Sequence, residues 1–224
     1  MNTGVRATAS SVFGLAILAL LLFLPAGTLN YWQAWAFIAT FLVATIFPSI
    51  YIVRTNPAAL QRRMHGGPWA EARTLQKIVI TSVFVGLSVM LAFCAYDHRM
   101  GWSQPPDWVC LLGDVLVATG LGIAMLVIIQ NGYAAATVTV ETGQKVVSTG
   151  VYTFVRHPMY VANVILMVGA PLALGSYWGL LFVLPGVAAL VFRIRDEETL
   201  LSQELAGYRE YAHHVRYRLL PYVW

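Results

Sequence analysis

The residues best equipped for chemistry in this chain crowd into two short stretches. The first runs Gly150-Val151-Tyr152-Thr153-Phe154-Val155-Arg156-His157-Pro158-Met159-Tyr160 and leads straight into an apolar run that starts near Val161. The second lies beyond that run and holds Arg193, Arg195, Asp196, Glu197 and Glu198, then Tyr208 and Tyr211. Polar groups beside a membrane-type apolar run are costly unless they find partners. Two such clusters flanking one apolar hairpin can meet at its mouth, and that mouth is the predicted working site.

The side chains there form a coherent set. Arg156 offers a planar fork of donors suited to a carboxylate or phosphate. Glu197 and Glu198 can accept from ribose hydroxyls or an ammonium group. The tyrosines bring aromatic faces for an adenine or a sulfonium cation. His157 precedes a proline, which biases its backbone away from helix and puts its ring at the turn that begins the span. The chain carries no Walker loop, no Gly-x-Gly-x-x-Gly opening a helix after a strand, and no His/Cys cluster of metal-binding spacing. A small zwitterionic, nucleotide-like cofactor fits this set better than a triphosphate or dinucleotide, and no metal is expected.

The elements that must position these groups are membrane spans. Hydrophobic residues make up 58% of the 224 residues and charged residues only 11%, against about a quarter charged in soluble domains. Five long apolar runs are visible, at residues 11–26, 32–53, 78–96, 108–129 and 161–192. A span takes about 20 residues, so the last run is a hairpin of two short crossings, turning at Pro171, Gly175 and Ser176. The predicted fold is therefore an all-α, polytopic transmembrane helix bundle with six crossings and a C-terminal cytosolic helix. Charge supports this count: of the 14 Lys and Arg residues only Arg99 falls on the far side, a positive-inside pattern that puts the C-terminus and the site on the cytoplasmic face. The net charge of +4 is read as topology and attraction to anionic headgroups, with no nucleic-acid partner expected. The chain is read as a single membrane domain, with a four-span bundle over 1–130 and a cofactor-binding and catalytic region over 131–224.

Finer features follow from the same reading. Residues 135–147 alternate weakly and predict a small hairpin or irregular loop. Glu197, Leu201, Leu205 and Tyr208 recur at helical spacing and predict one helix with one stripe. Asp114, two turns into the fourth run, is either a polar site or a group bonded to a neighbouring helix. Gly113, Gly120 and Gly122 would allow close helix packing. Cys94 and Cys110 are read as apolar-site cysteines rather than a disulfide.

The combination Arg156-His157-Pro158-x-Tyr160, Arg193-x-Arg195-x-Glu197-Glu198-x-x-Leu201, Gly207-Tyr208-x-x-Tyr211 and Arg218-x-x-Pro221 resembles the isoprenylcysteine carboxyl methyltransferase family and its bacterial and archaeal relatives. The likeness covers the C-terminal 95 or so residues and departs at Val151, where many members carry proline. It implies an integral membrane methyltransferase using S-adenosylmethionine, with membrane lipids around it and a lipophilic or lipidated acceptor. On the matched positions it implies cofactor contacts at Tyr152, His157, Tyr160, Glu197, Tyr208 and Tyr211. It places Arg156 and one acidic residue at the reaction centre; the register leaves both glutamates eligible, and Glu198 is taken for that role. Carboxyl O-methylation of an isoprenylcysteine-like substrate is the leading expectation. Phospholipid N-methylation, small-thiol S-methylation, NADPH-dependent reduction and a non-enzymatic transporter or assembly role are the alternatives.

Overall fold

The computed structural model of the chain describes residues 3–55, 74–134, 140 and 143–224. Seven α-helices and two short 3-10 turns are present among them, with no strand. The helices are α1 (Thr3–Ala26), α2 (Trp32–Thr55), α3 (Thr74–Met100), α4 (Asp107–Gln130), α5 (Pro158–Ala173), α6 (Val183–Glu204) and α7 (Tyr208–His214). Long helices are what such a sequence must form, because the bilayer interior offers no water to satisfy backbone N–H and C=O groups. Four of the helical stretches are long and apolar enough to cross a membrane, and Val12–Ala26 and Pro158–Ala173 are shorter apolar helices. The outward faces match a lipid solvent: Leu24, Phe47 and Leu184 are each at least 70% exposed. Left in water, three such side chains would forfeit roughly 2 kcal/mol each.

The long final run is a hairpin, as its length requires. Leu174 ends α5, Gly175 takes the left-handed conformation (φ 72°), and the 3-10 turn Trp178–Phe182 leads into α6. The predicted small hairpin lies largely outside the described residues, and its described part, 143–148, is irregular. The predicted single helix through Tyr208 is corrected. Helix α6 stops at Glu204, Leu205 is extended, and Gly207 at φ 82° starts a separate α7. A left-handed residue is cheap only for glycine, so Gly207 is where the chain can break.

Helices α4 and α5 pack more extensively than any other pair among the described residues. Gly113 explains how they come so near: a Cβ there would stand 2.1 Å from the backbone nitrogen of Ala173. Gly120 meets Leu166 and the carbonyl of Ala162, and Gly169 meets the carbonyl of Gly113. Gly122 faces open space, so it takes no part in this contact. Asp114 is buried in α4, and its Oδ1 has no hydrogen-bond partner among the described residues.

At the end of the bundle where α3 finishes, a fully buried carboxylate organises the α5–α6 turn. Asp97 accepts from the Ser103 backbone N–H at 2.9 Å, the Ser103 hydroxyl at 2.7 Å and the Ser176 hydroxyl at 2.5 Å. Ser103 and Ser176 in turn accept from the N–H groups of Tyr177 and Gly179. Tyr31 donates to the Leu174 carbonyl at 2.6 Å and stacks on His98 at 3.8 Å. Free, buried Cys94 and Cys110 complete the packing around this turn. Asp97→Ala strands three donors, the buried Ser176 hydroxyl and two from half-buried Ser103, and is expected to destabilise the protein by about 2–3 kcal/mol, read as a lowered melting temperature in detergent. Asp97→Asn, which keeps an acceptor, should lie between the two, and an unchanged melt for the alanine variant would contradict this account.

Candidate active site

At the other end of the bundle the two polar clusters come together. Pro158 opens α5 and leaves His157 outside the helical region at φ −123°, ψ 62° as its N-cap, the consequence of a residue before proline avoiding helix. Arg156 and His157 are further fixed by the last segment of the chain, their N–H groups bonding the carbonyls of Tyr217 and Arg218. This aims both side chains at α6.

Three cationic or ring nitrogens converge on Glu198. Arg218 Nε donates to Oε2 at 2.8 Å, and His157 Nε2 lies 3.2 Å from Oε1. Arg156 Nε stands 3.1 Å from the same Oε1. That last contact is an ion pair without hydrogen-bond alignment, because the buried Arg156 Nε has no hydrogen-bond partner among the described residues. Arg218 also lies 5.2 Å over the Trp224 ring.

Glu197 belongs to a second network. Tyr160 Oη donates to Glu197 Oε2 at 2.5 Å and accepts from Arg193 Nε at 2.9 Å. Arg193 also donates to Gln76 Oε1 at 2.8 Å, and Gln76 Nε2 donates to Asp196. Gln76 is fully buried and Arg193 nearly so. This network ties the start of α3 to the C-terminal half of α6 through α5, and its Tyr160, Arg193 and Glu197 line a cavity.

That cavity measures about 280 Å³ and lies between the two networks. Tyr152, Arg156, His157, Tyr160, Glu197, Tyr208 and Tyr211 line it, so seven of the eight predicted site residues share one space. Glu198 is not on its wall and stands behind Arg156 and His157 instead. Leu201 and Leu205 line it as well, so the stripe read as one helix meets the cavity despite the break at Gly207. Away from the mouth the wall turns apolar, with Ile80 and Val83 of α3 and Leu190 of α6.

The tyrosines are held as neutral donors. Burial raises the phenol of Tyr208 far above its ordinary value, and the nearby Glu198 charge adds to that. Burial likewise raises Tyr211 and Tyr152. Tyr211 Oη donates to the Tyr152 carbonyl at 2.8 Å, and Tyr152 Oη accepts from Asn131 at 3.0 Å. Tyr208 Oη is buried with no hydrogen-bond partner among the described residues. Gln130 caps the adjoining turn by accepting from the Val151 N–H at 2.9 Å, beside Gly150 at φ 62°.

Sequence reasoning did not single out Gln76, Asn131 or Asn163. The signal was there in each case, an amide within a few residues of an apolar run's end or start. Arg193 and Arg218 were visible as motif residues without roles.

A polytopic helical membrane protein with a polar cavity at one end of a hairpin, opening toward apolar walls, is the class that fold and site define. Residues 108–206 match the family model for phospholipid methyltransferase, the segment from α4 through α6 that builds most of the cavity. This is the segment carrying the Arg156–Tyr160 and Glu197–Glu198 motifs. The chain is also 33% identical over 91 residues to Delta(14)-sterol reductase TM7SF2 of Mus musculus. That match takes in 39% of this chain and 22% of the reductase, so the chain spans about a fifth of that relative's length.

Proposed function

We propose that this chain transfers a methyl group from S-adenosylmethionine to a lipophilic acceptor, with its site on the cytoplasmic face. The observation that carries the reading is the cavity itself. One buried polar atom at it, Tyr208 Oη, has no hydrogen-bond partner among the described residues, and a carboxylate and several aromatic faces share the wall. An unpaired buried polar group costs about 1–3 kcal/mol, so a polar, zwitterionic ligand that pairs it recovers that cost on binding. The donor set suits S-adenosylmethionine: Glu197 for its ribose hydroxyls or ammonium group, the Tyr152, Tyr208 and Tyr211 rings for adenine and sulfonium, His157 and Tyr160 closing the floor.

S-Adenosylmethionine, when bound, supplies an electrophilic methyl on a positively charged sulfur. The residues of this chain then have to align and desolvate the acceptor. Glu197 and the Tyr152, Tyr208 and Tyr211 rings would hold the cofactor so that its methyl meets the acceptor's lone pair, and would release it as the neutral thioether S-adenosylhomocysteine. A carboxylate acceptor is already ionised at neutral pH, so Arg156 would orient it and no strong base is needed. Glu198 assists through Arg156, holding the guanidinium in place, and is a positioning residue in this scheme. Carboxyl O-methylation of an isoprenylcysteine-like molecule is the specific reaction this arrangement favours. For an amine or thiol acceptor, Glu197 is the carboxylate on the cavity wall that could take the proton.

Equilibrium binding of S-adenosylmethionine and S-adenosylhomocysteine to the full chain in detergent tests this directly. Wild type should saturate, and Glu197→Ala should weaken binding by about tenfold or more, roughly 1.4 kcal/mol. No binding by a folded sample would end the proposal. The likeness to a sterol reductase supports one second reading, NADPH-dependent reduction, and saturable NADPH binding in the same assay would favour it.

A further inference from the structure

One part of the polar machinery comes from α3, outside the residues 108–206 that match the family model. Gln76 is fully buried and stands behind the cavity wall, one turn before Ile80, on the stripe of α3 that brings Ile80 and Val83 to that wall. Its amide is used at both ends. Oε1 accepts from Arg193 Nη1 at 2.8 Å, and Nε2 donates to the Asp196 carboxylate. Arg193 and Asp196 lie three residues apart, neighbours on the surface of α6, so a single side chain of α3 ties a cation and an anion of the facing helix. A group that accepts and donates while staying uncharged suits this place, because a carboxylate lacks the donor and an ammonium the acceptor. From Arg193 the network runs on to the cavity. Arg193 Nε donates to Tyr160 Oη at 2.9 Å, and the phenol proton is thereby directed to Glu197 Oε2 at 2.5 Å.

We infer that Gln76 is a positioning residue for the cavity carboxylate: acting through Arg193 and Tyr160, it fixes which oxygen of Glu197 a ligand meets and so sets the affinity of the site. Tyr160 occupies Oε2, and the ligand's donor is received at Oε1. The inference rests on the methyl-transfer reading only for naming that ligand, S-adenosylmethionine or its product. A change at position 76 therefore weakens binding from behind the wall, without removing any group that touches the ligand.

The test is equilibrium binding of S-adenosylhomocysteine to the full chain in lipid nanodiscs, together with the fluorine resonance of Tyr160 in fluorotyrosine-labelled protein, assigned by its loss in Tyr160→Phe. Gln76→Leu removes both amide contacts and should weaken binding about fivefold or more, roughly 1 kcal/mol, and shift the Tyr160 resonance. Gln76→Glu sets a second carboxyl group against Asp196, with Arg193 of α6 and Tyr160 of α5 the other titratable groups of the network. One of the two carboxyl groups must then hold a proton to replace the lost donor, so binding should be near wild type at about pH 6 and fall relative to wild type by about pH 8. Gln76→Glu combined with Asp196→Asn exchanges amide and carboxylate across the contact. That exchange should restore affinity and return the Tyr160 resonance, which a role in packing alone would not do. Should Gln76→Leu fail to fold, the single and exchanged carboxylate variants decide alone. Binding by Gln76→Leu within about twofold of wild type, or an exchange variant no better than Gln76→Glu, overturns the inference. If wild type does not bind S-adenosylhomocysteine, methyl transfer is wrong and the Tyr160 resonance decides: positioning stands if it moves in Gln76→Glu and returns in the exchange, and falls otherwise.

Discussion

Glu198→Ala is expected to be the most damaging single change at the site, lowering stability by about 3–5 kcal/mol, the range for removing one partner of a buried ion pair. Glu198 is 12% exposed and Arg156 is 9% exposed, so neither charge can turn to water for compensation. The loss would leave Arg156, His157 and Arg218 facing one another around an empty position. Arg218, at 33% exposed, is the member able to relax outward. The double variant Glu198→Ala, Arg218→Ala should therefore recover part of the loss, and a double-mutant cycle in detergent melts measures the coupling. Cofactor binding should weaken in the single variant as Arg156 and His157 lose their orientation. A melting temperature within a degree of wild type would show that Glu198 is not the counter-ion described here.

The second large effect is expected far from the site, at Gly113. Any side chain there meets the α5 backbone at 2.1–2.6 Å, and backbone, unlike a flexible side-chain tip, cannot move aside without parting two helices. Gly113→Leu should cost about 3 kcal/mol or more, at or beyond the upper end for overpacking. The readout is the fraction of protein recovered as a monodisperse species after extraction, together with its melt. Gly122→Leu is the control: Gly122 has nothing within 4 Å, and its variant should behave as wild type.

These glycines also show what could be read from the chain alone. The spans were legible because each is a long apolar run, and bilayer thickness fixes how long such a run must be. The hairpin in residues 161–192 followed from that arithmetic. The meeting of the two polar clusters was legible for the same reason, since a hairpin returns its ends to one place. Which glycine packs and which is idle was not legible. Gly120 and Gly122 differ only by a rotation about α4, and the position of α5 decides between them. The break at Gly207 was hidden because Glu197, Leu201, Leu205 and Tyr208 keep helical spacing through it. The division between Glu197 and Glu198 was hidden too. Adjacent residues on a helix point about 100° apart, and only the position of Tyr160 on one side and Arg218 on the other shows which faces the cavity.

The Asp97 clasp has a mechanical consequence. It pins the α5–α6 turn at the end of the bundle away from the cavity, whereas the cavity end of α6 is held by side-chain networks. A 22-residue helix is about 33 Å long. Fixed at one end, α6 acts as a lever: a tilt of about 5° at the clasp carries its far end through roughly 3 Å over that length. At Glu197, about 21 Å along the helix, the same tilt amounts to roughly 2 Å, enough to stretch its 2.5 Å bond to Tyr160 beyond hydrogen-bonding range while the serines around Asp97 scarcely move.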